Sequence, residues 1–182
     1  MTLLTTVFIG ASLVAACSAR PARPAHSVLL SLTCAESAGQ QGQGGETVTG
    51  GVEGLVLPGS DDPAGLYPVG KAGNGKPYFI YKAFLAVSAS AAPFATVSIT
   101  RPSSARLVYG SPSRIGDLFS ADSGQPLVAA ARSEVRLPVC GPRFTGFTGG
   151  VIVTGPACVT FEVSSRSARA ATVTVPIGPV TC

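Results

Sequence analysis

A chain of 182 residues with 46% hydrophobic and only 12% charged side chains has the length and apolar content for one domain with its own core. Its net charge of +4 comes from ten Arg and three Lys scattered along the sequence, which is not the clustered footprint of a nucleic-acid-binding protein. One His and no Trp argue against most hydrolase and glycosidase chemistry before any fold is considered.

Residues 3–16 are almost uninterruptedly apolar and small, and they end Val14-Ala15-Ala16-Cys17. That is the pattern of a bacterial signal peptide closing in a lipobox: small or aliphatic residues fit the peptidase, and the Cys17 thiol receives the diacylglycerol. A stretch of about fourteen residues is too short to span a bilayer, which takes about twenty, and no stop-transfer pattern follows. Residues 1–6 lack the usual Lys or Arg, so either the true start lies upstream or the signal is atypical. Conventional cleavage around Ala16-Cys17-Ser18-Ala19 would instead release a secreted protein. The reading adopted is a signal peptide over residues 1–16 and a lipidated cysteine with a flexible tether over 17–26. A single extracytoplasmic domain follows over 27–182. Arg20 and Arg23 of the tether would sit near anionic headgroups.

The body is rich in Val, Thr, Ser, Gly, Ala and Pro, and period-two alternation recurs along it. Val28, Leu30, Leu32 and Cys34 form one such set. Residues 35–50 are Gly/Gln-rich without periodicity and read as a loop. Asp61-Asp62, between Pro-Gly and Pro, is better read as a turn than as a Ca²⁺ site, which needs six to eight oxygens. Asn74-Gly75 is a turn signal. Residues 78–87 (YFIYKAFLAV) are apolar on both faces apart from Lys82, which places them centrally. Val97 and Ile99 alternate with Thr96, Ser98 and Thr100. Ser111-Pro112 starts a helix with Ile115, Leu118 and Phe119 on one face, and residues 126–132 form a second helical turn. Both are expected to cap one end of the fold. Alternating sets return at Val135-Leu137-Val139, Val159-Phe161-Val163 and Val173-Val175-Ile177. Strands separated by Gly/Pro/Ser turns predict an all-β, immunoglobulin-like antiparallel β-sandwich with one or two short helices in a connection.

Five cysteines leave one spare in an oxidising compartment, and Cys17 as the lipidated residue accounts for it. Cys34, Cys140, Cys158 and Cys182 then close two disulfides, for which three pairings exist. Cys140 and Cys158 share outward strand parity, which pairs them across neighbouring strands and leaves Cys34 to Cys182 by elimination. No C-x-x-C occurs, and no metal site or cofactor is expected.

His26 lies in the tether, where no fold would position it for catalysis. The nine acids show no apolar setting that would raise a pKa, Glu134 and Glu162 have outward parity, and no S-x-x-K, phosphate-loop or dinucleotide fingerprint is present. The distinctive segment is residues 137–150 (LPVCGPRFTGFTGG). As a contact surface it would present Arg143, Phe144 and Phe147 on a cross-linked loop, the candidate binding loop. Read structurally, which is the preferred reading, the two rings fill the end of the core and the glycines make a hairpin turn. This segment, residues 78–90 and the Cys158 strand together resemble exported proteins of high-GC Gram-positive bacteria that have no assigned function. The resemblance covers about the last hundred residues and implies no activity and no site residues. The expectation is a non-catalytic, membrane-tethered binding module, with an accessory subunit of a cell-envelope complex as alternative and a carboxylate- or Lys-dependent enzyme behind both. Its partners would be the membrane through lipid on Cys17 and an envelope protein or anionic wall polymer.

Overall fold

The computed structural model describes residues 29–39, 49–53, 65–71, 75–120 and 125–182. The signal segment, Cys17, the tether, the Asp61-Asp62 turn and Asn74 lie outside the described residues. In chain order the strands are β1 (Leu30–Ser31), β2 (Val52–Glu53), β3 (Leu66–Lys71), β4 (Pro77–Lys82), β5 (Leu85–Ser88), β6 (Phe94–Arg101) and β7 (Arg106–Gly110). Helices α1 (Pro112–Ser120) and α2 (Gln125–Ala130) follow, then β8 (Glu134–Pro138), β9 (Phe144–Val153), β10 (Ala157–Ser165) and β11 (Ala171–Ile177). They form an all-β sandwich. One sheet has the order β1-β8-β6-β10-β11, and the second is built around β9.

The alternating patterns explain the core. Val97 of β6, Val135 and Leu137 of β8, Val159, Phe161 and Val163 of β10, and Val175 and Ile177 of β11 all point inward. They meet Leu85, Val87, Leu107, Phe147 and Val151 of the second sheet. The intervening Thr, Ser and Glu side chains form the wet outer face, as strand periodicity requires.

The second sheet shows why residues 78–87 are apolar on both faces. β4 and β5 pair with the same edge of β9 in one continuous register, Ile80 opposite Ile152 and Ala86 opposite Gly146. β7 takes the other edge, with Arg106 also opposite Ile152. Tyr81, Leu85 and Val87 face the sandwich interior, whereas Ile80 faces away and forms a second core with Val108, Ile152, Ile115 and Leu127. The helices therefore cover the outer face of this sheet and do not cap an end of the sandwich, because a buried apolar stripe on β4, β7 and β9 needs a second layer. α1 starts as its sequence predicts, with Ser111 Oγ accepting from the Arg114 N–H at 3.3 Å. The lone charge of the run, Lys82, is exposed and sits 4.8 Å from the Tyr67 ring and 4.7 Å from the Phe119 ring.

Three expectations are corrected here. The strand expected over residues 28–34 is only two residues long, since the chain leaves the sheet at a 3-10 turn (Cys34–Glu36) closed by the Thr33 N–H donating to Glu36 Oε2 at 2.9 Å. The glycines of residues 141–150 do not all make a turn. Gly146, Gly149 and Gly150 lie inside β9, where a β-carbon on Gly149 would collide with the Val108 carbonyl oxygen and the Tyr109 ring. The disulfides exchange partners: all four cysteines are paired, but as Cys34–Cys140 and Cys158–Cys182, with Cα separations of 5.6 and 5.7 Å.

Strand direction explains that pairing. β6 lies between β8 and β10 and is antiparallel to both, so Cys140 leaves β8 at one end while Cys158 enters β10 at the other. Shared outward parity cannot bridge that distance. β1 instead runs parallel to β8, with Leu30 beside Val135, and carries Cys34 off the same end as Cys140. At the opposite end Cys158 lies opposite Pro176, and the chain turns at Gly178 (φ 77°) to return Cys182.

Candidate functional site

The structure does not bring Arg143, Phe144 and Phe147 together. β9 begins at Phe144, and residues three apart in a strand point to opposite faces. Phe147 lies opposite Leu85 and is fully buried in the sandwich core. Phe144, opposite Ser88, is half-buried on the other side. Only Arg143, just before the strand, is exposed.

What the fold does assemble around Arg143 is one end of the sandwich. Phe94 lies opposite Pro138, Ala95 opposite Ser165, and Ser88 opposite Phe144. The β5–β6, β8–β9 and β10–β11 connections (residues 89–93, 139–143 and 166–170) therefore emerge side by side. They are bonded to one another: the Ala89 N–H donates to the Arg143 carbonyl at 2.8 Å, the Val139 N–H donates to the Pro93 carbonyl at 3.0 Å, and Ser167 Oγ donates to the Ser90 carbonyl. The Arg143 and Ser167 contacts fall on adjacent residues, Ala89 and Ser90. The Cys34–Cys140 disulfide and the Cys140 N–H, donating to buried Thr145 Oγ1 at 2.8 Å, fix the Arg143 loop at its base.

Arg143, Arg166 and Arg169 are all exposed on this platform, and the three connections contain no Asp or Glu. Arg136 adds a fourth guanidinium, stacked 4.4 Å over the Phe94 ring on the adjoining outer face. The acid nearest in sequence to the Cys34 staple, Glu36, is engaged by Thr33 and by Arg114 at 3.8 Å. Sequence reasoning missed Arg166 and Arg169 because they lie more than twenty residues from Arg143 and look scattered until the β8–β9 crossover and the β10–β11 hairpin turn at one end of the sandwich. The available signal was position: both lie in the turn between two alternating runs, as does Arg143.

For catalysis the described residues offer little convergence. No group of three or more His, Cys, Asp or Glu side chains that could hold a metal ion occurs among them. One acid departs from the expectation that none has an apolar setting: Glu53 of β2 is a buried carboxyl, 5% exposed. Tyr109 is buried in the sandwich core, and that burial pushes its hydroxyl above the ordinary phenol range, so it stays neutral and structural. Among the described residues no helix is long and apolar enough to cross a membrane. No protein-family model matches the chain, and no curated protein or solved structure is significantly similar to it.

Proposed function

We propose that this chain is a non-catalytic binding module held outside the cytoplasm by lipid on Cys17, with the arginine-bearing end as its contact surface. The observation that carries the reading is the locked platform of three connections presenting Arg143, Arg166 and Arg169. Two disulfides are the chemistry of an oxidising, extracytoplasmic compartment. The lipobox pattern Val14-Ala15-Ala16-Cys17 supports the anchor, and the resemblance to exported proteins of high-GC Gram-positive bacteria agrees with it. β1 runs parallel to β8 toward the arginine end, so Leu30 enters the first sheet at the end opposite the platform.

Site-specific photo-crosslinkers test this in intact cells, placed at Arg143 and Arg169 and, for comparison, at Thr174 on the outer face and Tyr67 beside the helices. Crosslinks to an envelope component concentrated at Arg143 and Arg169 support the reading. One protein captured there at stoichiometric yield would make the chain a subunit of an envelope complex. Equal crosslinking from all four positions sinks the assignment of the surface. In the same cells Cys17→Ser is expected to abolish lipid labelling and release the protein from the membrane fraction. A Cys17→Ser protein that stays membrane-bound overturns the lipid anchor.

A further inference from the structure

We infer that the arginine end binds a linear polyanion built of repeating phosphate groups, a proposal that rests on the binding-module reading and names its ligand. The charge on the three connections is of one sign and comes from guanidinium groups, whose planar fork of donors pairs with two oxygens of one oxyanion. Arg143 is set at the end of the second sheet, and Arg166 and Arg169 at the end of the first. Packed sheets lie about 10 Å apart, so the three guanidiniums issue from two layers of the fold, an arrangement that suits a chain of anions running across the end better than one small anion. The loops carrying them are held by the Cys34–Cys140 disulfide and by the Ala89–Arg143 and Ser167–Ser90 hydrogen bonds, so little ordering is left to the moment of binding.

The alternatives fit less well. A neutral glycan wants an exposed aromatic platform, and among the described residues the exposed large apolar side chain is Tyr67, on β3. A membrane surface reached by this end would be gripped by inserted apolar side chains as well as charge. The three connections are Ala, Ser, Gly, Pro and Arg, with Val139 and Cys140 at the strand exit, and offer none on their exposed residues. Three arginines alone give only about 1 kcal/mol each at an anionic leaflet. A linear polyanion carries a condensed counterion layer, and releasing it on contact adds a favourable term.

The test uses the full chain with its disulfides intact and long-chain inorganic polyphosphate as probe. Binding is read by fluorescence anisotropy beside poly-glutamate of matched charge and vesicles containing phosphatidylglycerol. Polyphosphate is expected to bind more tightly than either comparison probe. With three ionic contacts, raising salt from about 50 to about 200 mM should weaken it about twenty- to fortyfold. The triple variant Arg143→Ala, Arg166→Ala, Arg169→Ala should lose at least tenfold in affinity. A control triple at the opposite end, Lys71→Ala, Lys76→Ala, Arg101→Ala, removes the same charge and should stay within about twofold. Both triples are checked for wild-type melting, and the corresponding single Ala variants replace any triple that fails to fold. Equal loss in both triples overturns the site, since net charge would then suffice. Equal binding of poly-glutamate overturns the phosphate class, and preferential vesicle binding makes the ligand a membrane. No binding of any probe overturns this inference alone, because crosslinks from Arg143 and Arg169 to an envelope protein would still uphold the binding module.

Discussion

Removing the Cys34–Cys140 disulfide should destabilise this protein more than removing Cys158–Cys182, and the difference follows from loop length. The first bridge closes 106 residues and the second 24. In the chain-entropy description each crosslink restricts the unfolded chain by an amount that grows with the logarithm of the loop, giving about 5 kcal/mol for the longer loop and about 3.5 kcal/mol for the shorter at 25 °C. For a domain of this size each kcal/mol moves the melting temperature by about 2–4 °C. The Cys34→Ala, Cys140→Ala variant should therefore melt about 10–20 °C lower. The folded state keeps the Leu32 N–H to Arg136 carbonyl bond at 3.0 Å and buried Leu32, so β1 should remain in place and the loss should arise in the unfolded ensemble. Urea titrations followed by circular dichroism would show this as a lower midpoint with a steeper slope, because the freed chain exposes more surface. Peptide mapping of the single variant Cys34→Ala adds a direct check, with the free thiol expected on Cys140 and the Cys158–Cys182 peptide intact. A free thiol on Cys182, or a larger loss from the 158/182 double variant than from the 34/140 one, would refute the reasoning.

Phe147→Ala empties a fully buried site and should cost about 3–5 kcal/mol in urea unfolding, whereas Phe144→Ala, half-buried three residues away, should cost less than about 2 kcal/mol. Equal costs would mean that the two rings share an environment, contrary to their opposite faces. Gly149→Ala drives a methyl into the Val108 carbonyl oxygen and should destabilise by about 3 kcal/mol or prevent folding. Gly116→Ala, on α1 with open space around it, should stabilise by about 0.5–1 kcal/mol in the same titration. Finding Gly149→Ala neutral would show that β7 and β9 are not as closely apposed as their register implies.

The sequence by itself determined the sandwich, because strand alternation is a local property: Val135-Leu137, Val159-Phe161-Val163 and Val175-Ile177 declare their buried faces without knowledge of their partners. It also determined the start of α1, since Ser111-Pro112 acts within one turn, and the central place of residues 78–87, whose apolar faces on both sides require cover on both. The participation of Cys34, Cys140, Cys158 and Cys182 in disulfides was likewise legible from their number, once Cys17 was set apart. What stands next to what was decided only in three dimensions. Parity says which face a cysteine takes but not which end of its strand it leaves, so the parallel β1–β8 pair and the antiparallel β6 between β8 and β10 chose the partners. The spacing of Phe144 and Phe147 looked like a pair until β9 ran through both and turned them to opposite faces. Arg143, Arg166 and Arg169 are isolated charges in one dimension. They become a single basic surface because the β8–β9 crossover between the sheets and the β10–β11 hairpin turn at the same end of the sandwich, and hydrogen bonds between residues far apart in sequence hold them there.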